Sequence, residues 1–137
     1  MIGHKGHPEV EGTLGQDLTS KKMHLIENIS DIDLLKISNP NKVAYVTQTT
    51  LSLDETKDII EKLKTKFSMI EGPKADDICY ATQNRQDAIK QILPSADILF
   101  VVGSKNSSNS NRLKELGEKI GIPSILIDNM SDFNPAW

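Results

Sequence analysis

The chain has 137 residues, with 16 Lys and Arg against 19 Asp and Glu, a formal charge of −3 and 4% aromatic residues; this balance argues against a general nucleic-acid binder and against base-stacking platforms. No apolar run approaches the roughly 20 residues that span a bilayer, and no apolar stretch of about 7–15 residues follows Met1-Ile2-Gly3-His4 as a signal peptide requires. The single cysteine, Cys79, excludes an internal disulfide and fits a reducing compartment such as the cytoplasm.

In chain order, Met1-Ile2 reads as the tail of a strand, and Pro8 opens a short helical turn that residues 12–15 end. Residues 25–29 read as a strand, followed by a short helix over 30–35 capped by Ser30. Residues 43–46 read as a buried strand. Ser52 and Glu55 form a capping-box pattern, after which Ile59, Ile60, Leu63 and Phe67 recur at helical spacing. Gly72-Pro73 breaks that helix. Residues 76–80 read as the next strand or its end, and Asn84 reads as the cap of a helix carrying Ala88, Ile89, Ile92 and Leu93, stopped by Pro94. Residues 98–102 are five apolar residues in a row, the composition of a parallel strand covered on both faces. Gly103 then permits a sharp turn. A helix burying Leu113, Leu116 and Ile120 follows, with Gly121 at its C-terminal cap, and residues 124–127 form a last strand. Strands alternating with helices predict an α/β fold with a mostly parallel sheet.

Three polar clusters fall at the C-terminal ends of these predicted strands, where open α/β sheets bind ligands. The richest is Ser104-Lys105-Asn106-Ser107-Ser108-Asn109-Ser110-Asn111. Its hydroxyls and amides can donate to phosphate oxygens, and a helix N-terminus adds positive potential. It lacks the glycines and Gly-Lys-Ser/Thr ending of a Walker A loop. The competing reading is an exposed loop with redundant helix caps. In the first cluster, His7 and Glu9 offer an imidazole and a carboxyl for proton donation or anion binding, or are ordinary surface residues. His4 has a weaker case, and the isolated His24 reads as structural. Thr49 and Thr50, in Thr47-Gln48-Thr49-Thr50, can hold a substrate hydroxyl or merely complete the turn before Ser52. Cys79 is either a metal ligand or a small buried apolar residue, and a cubane cluster needs more thiolates than this chain has.

Four strings, GHKGHPEVEGT, YVTQTTLS, ICYATQNRQ and VVGSKNSSNSNRL, resemble in order and spacing the LytB/IspH family of 4-hydroxy-3-methylbut-2-enyl diphosphate reductases. The resemblance covers essentially the whole chain. It implies an α/β trefoil of three lobes around an iron–sulfur cluster, of which this chain holds two incomplete lobes with mostly parallel sheets, residues 1–76 and 77–137. It implies reductive removal of the hydroxyl of an allylic diphosphate, the last step of the non-mevalonate isoprenoid route, with a ferredoxin or flavodoxin as electron donor. It implies Cys79 as one of three thiolate ligands of a 4Fe–4S cluster and Glu9 as the catalytic acid. His7, Thr49, Thr50, Ser107, Ser108 and Asn109 are the implied substrate-binding residues. The implied location is the cytoplasm or a plastid-type organelle, with no nucleic acid or membrane as partner. The family's other two cluster cysteines and two further histidines lie N-terminal to these motifs and have no counterpart here. The chain also stops at Asn134-Pro135-Ala136-Trp137, before the family's closing serine motif. The expectation is therefore a piece of the enzyme, inactive by itself and retaining no cluster. The alternative is a phosphate-binding α/β module without redox activity.

Overall fold

The computed structural model describes residues 1–16, 23–73 and 77–137. They form two compact units, Met1–Ile78 and Cys79–Trp137. The boundary expected after residue 76, and Asp76 of the expected strand, fall on a stretch outside the described residues.

In the first unit, Ile2 bridges Ile26 on one side and Thr47 on the other, both parallel, and Ala44 bridges Glu71. The elements here are helices α1 (Pro8–Leu14), α2 (Asp31–Leu34) and α3 (Leu53–Lys66). Ile2, Ile26, Ile32, Leu51, Ile59, Leu63 and Phe67 form one core. The predicted spacing on α3 is realised, with Ile59 and Leu63 buried; each such side chain contributes about 1.5–3 kcal/mol on leaving water. Lys66 ties α3 to the end of α2 by donating to the carbonyl of Ile32 at 2.5 Å.

The local detail departs from expectation in several places. Residues 43–46 are extended and hydrogen-bonded on both sides, with the Ile2 N–H donating to Val46 and the Glu71 N–H to Val43. Only one face is covered, however: Val43 and Tyr45 pack on the core, while Val46 is exposed. Residues 25–29 contribute a single bridge at Ile26 rather than a strand. Ser30 makes no side-chain cap; the Asp31 carboxylate instead accepts the N–H groups of Glu27 and Asn28. Ser52 is the N-cap residue of α3 without a side-chain capping bond.

The second unit holds α4 (Tyr80–Ile92), a 3₁₀ turn at Leu93–Ser95, β1 (Leu99–Val102), α5 (Ser108–Lys119) and β2 (Ser124–Ile127). β1 and β2 are parallel neighbours, with Leu99 opposite Ser124 and Val102 opposite Ile127. Leu93, Leu99, Val101, Leu113 and Leu116 form its core. The strand expected over 76–80 is not formed: Asp77 and Ile78 make a bend, and α4 starts at Tyr80, so Asn84 lies inside the helix rather than capping it. The buried residues of α4 are Thr82 and Gln86, four apart and polar, which hides its start from hydropathy. β1 is covered on one face only: Leu99 and Val101 are buried, whereas Val102 is 80% exposed. Ile120 is exposed because it is the C-cap, past the last helical turn. Gly103 is needed for close approach rather than for a turn, since a Cβ there would collide with the Ser110 side chain.

Candidate functional site

In the first unit, Ile2 brings the segment after it beside the segment after Val46. Two polar stretches distant in sequence therefore leave the bridged region together. Pro8 sits in the first turn of α1, and His7 is its N-cap. The His7 Nδ1 accepts the Glu9 N–H at 3.3 Å. That bond leaves Nε2 as the nitrogen that carries the proton in the neutral ring and can donate to a ligand.

Glu9 meets Thr49 directly. The Thr49 N–H donates to the Glu9 carboxylate at 3.0 Å to Oε1 and 3.2 Å to Oε2, and the Thr49 hydroxyl donates to Oε2 at 3.0 Å. The threonine hydroxyl thus spends its one proton on the carboxylate and keeps its acceptor lone pairs. Thr50 is tied in through Gln48, whose Nε2 donates to the Thr50 Oγ1 at 2.9 Å. Upstream, the Thr47 N–H donates to the Asp77 carboxylate at 2.9 Å. His7, Glu9, Thr49 and Thr50 are therefore brought together, through Glu9 and Gln48. His4 contributes its backbone N–H to the same group, to Gln48 Oε1 at 3.0 Å. His24 is exposed, outside this network.

In the second unit, Cys79 is the N-cap residue of α4 and is exposed. It is not the sealed apolar residue that was its alternative reading. The backbone N–H groups of Thr82 and then Ala81 face the sulfur and draw its thiol pKa below the usual cysteine value, with smaller help from the Thr82 hydroxyl and the Arg85 charge. None of these contacts has the geometry of a full capping bond; the effect is that of N–H dipoles at the helix start on an anion. A thiolate is the form that ligates iron. Among the described residues, no group of three or more His, Cys, Asp and Glu side chains is placed to hold a metal ion.

The loop 104–111 runs into α5. Ser107 is its N-cap, and the hydroxyl accepts the Ser110 N–H at 3.3 Å. Ser104 accepts from the Asn106 N–H, and Asn111 donates to the Lys105 carbonyl at 2.9 Å. Lys105 is paired with Asp132 at 3.1 Å. So Ser107 is a helix cap, as the competing reading held, yet an accepting hydroxyl still has its own proton to donate. The Asn109 Oδ1 is buried and has no hydrogen-bond partner among the described residues. Such an atom costs about 1–3 kcal/mol unless a bound group or water meets it.

Fold and site together define an α/β protein with a carboxylate–threonine pair in one unit, and an exposed, acidified thiol with a hydroxyl-rich helix start in the other. A sequence model described as LytB protein matches residues 1–137; the chain belongs to the LytB family. It is 58% identical over 137 residues to the 4-hydroxy-3-methylbut-2-enyl diphosphate reductase of Azoarcus sp. (strain BH72), covering all of this chain and 43% of that protein. It is 56% identical over 138 residues to the enzyme of the same name from Tolumonas auensis, covering 44% of it. The solved E-1-hydroxy-2-methyl-but-2-enyl-4-diphosphate reductase from Plasmodium falciparum matches with a TM-score of 0.89 and 40% identity, over 98% of this chain and 42% of that one. The chain thus spans less than half the length of the relatives it matches.

Proposed function

We propose that this chain supplies part of the site of a reductase that removes the allylic hydroxyl of 4-hydroxy-3-methylbut-2-enyl diphosphate, giving isopentenyl and dimethylallyl diphosphates. The observation that carries the reading is the Glu9–Thr49 pair, an acid and a hydroxyl held 3.0 Å apart. Membership of the LytB family and the names of the relatives support it.

The reaction breaks the allylic C–O bond. It consumes two electrons and two protons: one proton leaves with the oxygen as water, and the other ends on the allyl carbon. The Thr49 hydroxyl, already donating to Glu9, accepts a hydrogen bond from the substrate hydroxyl and orients it. Glu9, within hydrogen-bond reach of Thr49, feeds a proton to the departing oxygen as general acid. Thr50, tied to Gln48, holds the substrate beside Thr49, and His7, through Nε2–H, donates to substrate oxygen. Ser107, Ser108 and Asn109 bind the diphosphate at the start of α5, where hydroxyl protons and the helix N-terminus favour an anion. Cys79 fits one ligand position of an iron–sulfur cluster, since its thiol is exposed and inclined to ionise. Bound to the complete enzyme, a 4Fe–4S cluster would supply the electrons, received from a ferredoxin or flavodoxin. The 137 residues by themselves neither retain the cluster nor turn over.

The test is Glu9→Gln in the iron-loaded reductase carrying this sequence. It keeps an acceptor for Thr49 but cannot release a proton, so kcat should fall by about 100-fold or more, with the cluster's visible absorption unchanged. Normal turnover would remove Glu9 from the mechanism.

A further inference from the structure

We infer that Gln48 is a positioning residue, whose buried amide holds the loop bearing Thr49 against the segment bearing Glu9. The inference rests on the Glu9–Thr49 reading and deepens it. Gln48 lies among threonines, yet it is fully buried at 0% exposure. Its backbone N–H donates to the Ile2 carbonyl at 2.8 Å. Its side chain then works in two directions: Oε1 accepts the His4 N–H at 3.0 Å, and Nε2 donates to the Thr50 hydroxyl at 2.9 Å.

The amide therefore joins the start of the segment that carries His7 and Glu9 to the residue beyond Thr49. The two bonds bracket the Glu9–Thr49 contact. Space for this is made by Gly3: a Cβ there would stand 2.6 Å from the Val10 Cγ2 and 3.2 Å from the Gln48 Cβ and Oε1. No larger residue fits without displacing the amide or α1. Val10 is itself fully buried beside Glu9 in sequence, so the helix cannot easily yield.

An apolar side chain of equal length would fill the same volume at lower desolvation cost, because a buried amide must find partners for both its ends. What the amide adds is direction. Two bonds fix the rotation of the loop, and with it the distance between the Thr49 hydroxyl and the Glu9 carboxylate. Catalytic geometry is sensitive at this scale, where a shift of about 1 Å can cost about 100-fold in rate.

The experiment has two arms. In the 137-residue chain, amide hydrogen exchange is read at Thr49, whose N–H donates to Glu9, with Leu63 as a core reference. Gln48→Met keeps length and loses both bonds. It should speed exchange at Thr49 by about tenfold or more while leaving Leu63 within about twofold. In the iron-loaded reductase carrying the sequence, Gln48→Met should lower kcat by about 10- to 100-fold with KM within about twofold. Combined with Thr49→Val, the loss should be less than the sum of the two separate losses in free energy, because both act on one contact. Unchanged Thr49 exchange, unchanged kcat, or strict additivity with Thr49→Val overturns the inference. If Gln48→Met does not fold, Gln48→Asn takes its place; being one methylene shorter, it cannot span both partners, and wild-type Thr49 exchange in that variant is equally fatal. Glu9→Gln in the same assay separates the two readings: its full activity defeats the acid role, while Thr49 exchange still decides whether Gln48 holds the loop.

Discussion

A thiol at a helix N-terminus meets N–H groups that have no helical partner, and Cys79 occupies that place on α4. The N–H groups of Thr82 and Ala81, then the Thr82 hydroxyl and the Arg85 charge, favour its thiolate. The folded pKa is thus lower than the unfolded one. The contribution to stability is present above the unfolded pKa and is lost as pH falls through the folded value. Alkylation by iodoacetamide, followed against pH, should show its inflection lower in the native chain than in the urea-unfolded chain. Arg85→Ala should move the native inflection up toward the unfolded one. Coincident curves for native and unfolded protein would mean that the helix start does not act on the sulfur. The sequence names this cysteine but not its setting, because residues 76–80 read as a strand. The start of the helix, before Asn84, is hidden because Thr82 and Gln86, the residues on its buried face, are polar. Gln48 is hidden in the same way: a polar residue in a polar loop gives no sign of burial, which comes from the approach of Gly3. The types of Glu9 and Thr49 are legible, but their contact across 40 positions is not.

Among the elements, α3 and α5 are read well because their buried faces are apolar at helical spacing: Ile59 and Leu63 on one, Leu113 and Leu116 on the other. The C-terminal end of α5 is legible down to a single residue. Gly121 has φ of 83°, and the Ile122 N–H returns to the Gly117 carbonyl while the Gly121 N–H returns to that of Glu118. This is the paired closure of a Schellman motif, which asks for a left-handed residue after the cap. A Cβ on Gly121 would meet nothing within 4 Å, so backbone strain alone decides the effect of substitution. Gly121→Ala should cost about 1–2 kcal/mol in urea unfolding, and Gly121→Asn distinctly less, since asparagine visits the left-handed region more readily. Equal losses for the two would place the cost elsewhere. The strands are read less well. In the first unit, pairing is through isolated bridges at Ile2, Ile26, Thr47, Ala44 and Glu71, too brief for an alternating pattern to declare itself. In β1 the apolar run is real, but Val102 is left uncovered, so composition reports what a strand is built to bury and not what this chain buries.

At the scale of the molecule, the α/β class follows from the alternation of elements. The family resemblance rests on motifs whose spacing no local rule explains. The family match over residues 1–137 accounts for both, and the relatives are more than twice as long as the aligned region. That difference bears on the cofactor. A cubane cluster takes three or four thiolates from its protein, whereas these 137 residues contain one cysteine. One thiolate does not make a cluster site: each further iron would have to be held by carboxylate or imidazole, which are poor partners for iron–sulfide cores. The purified chain, reconstituted anaerobically with iron and sulfide and then desalted, should carry iron well short of one cluster per chain and show no reduction of the allylic diphosphate. Cys79→Ser should remove what iron remains. In the complete reductase the same substitution should leave a damaged cluster while Glu9→Gln leaves it intact, so the two residues part in iron content before any rate is measured. A stable, stoichiometric cluster on the 137 residues, with turnover, would overturn the expectation that they neither retain a cluster nor turn over, and its survival in Cys79→Ser would remove Cys79 as a ligand.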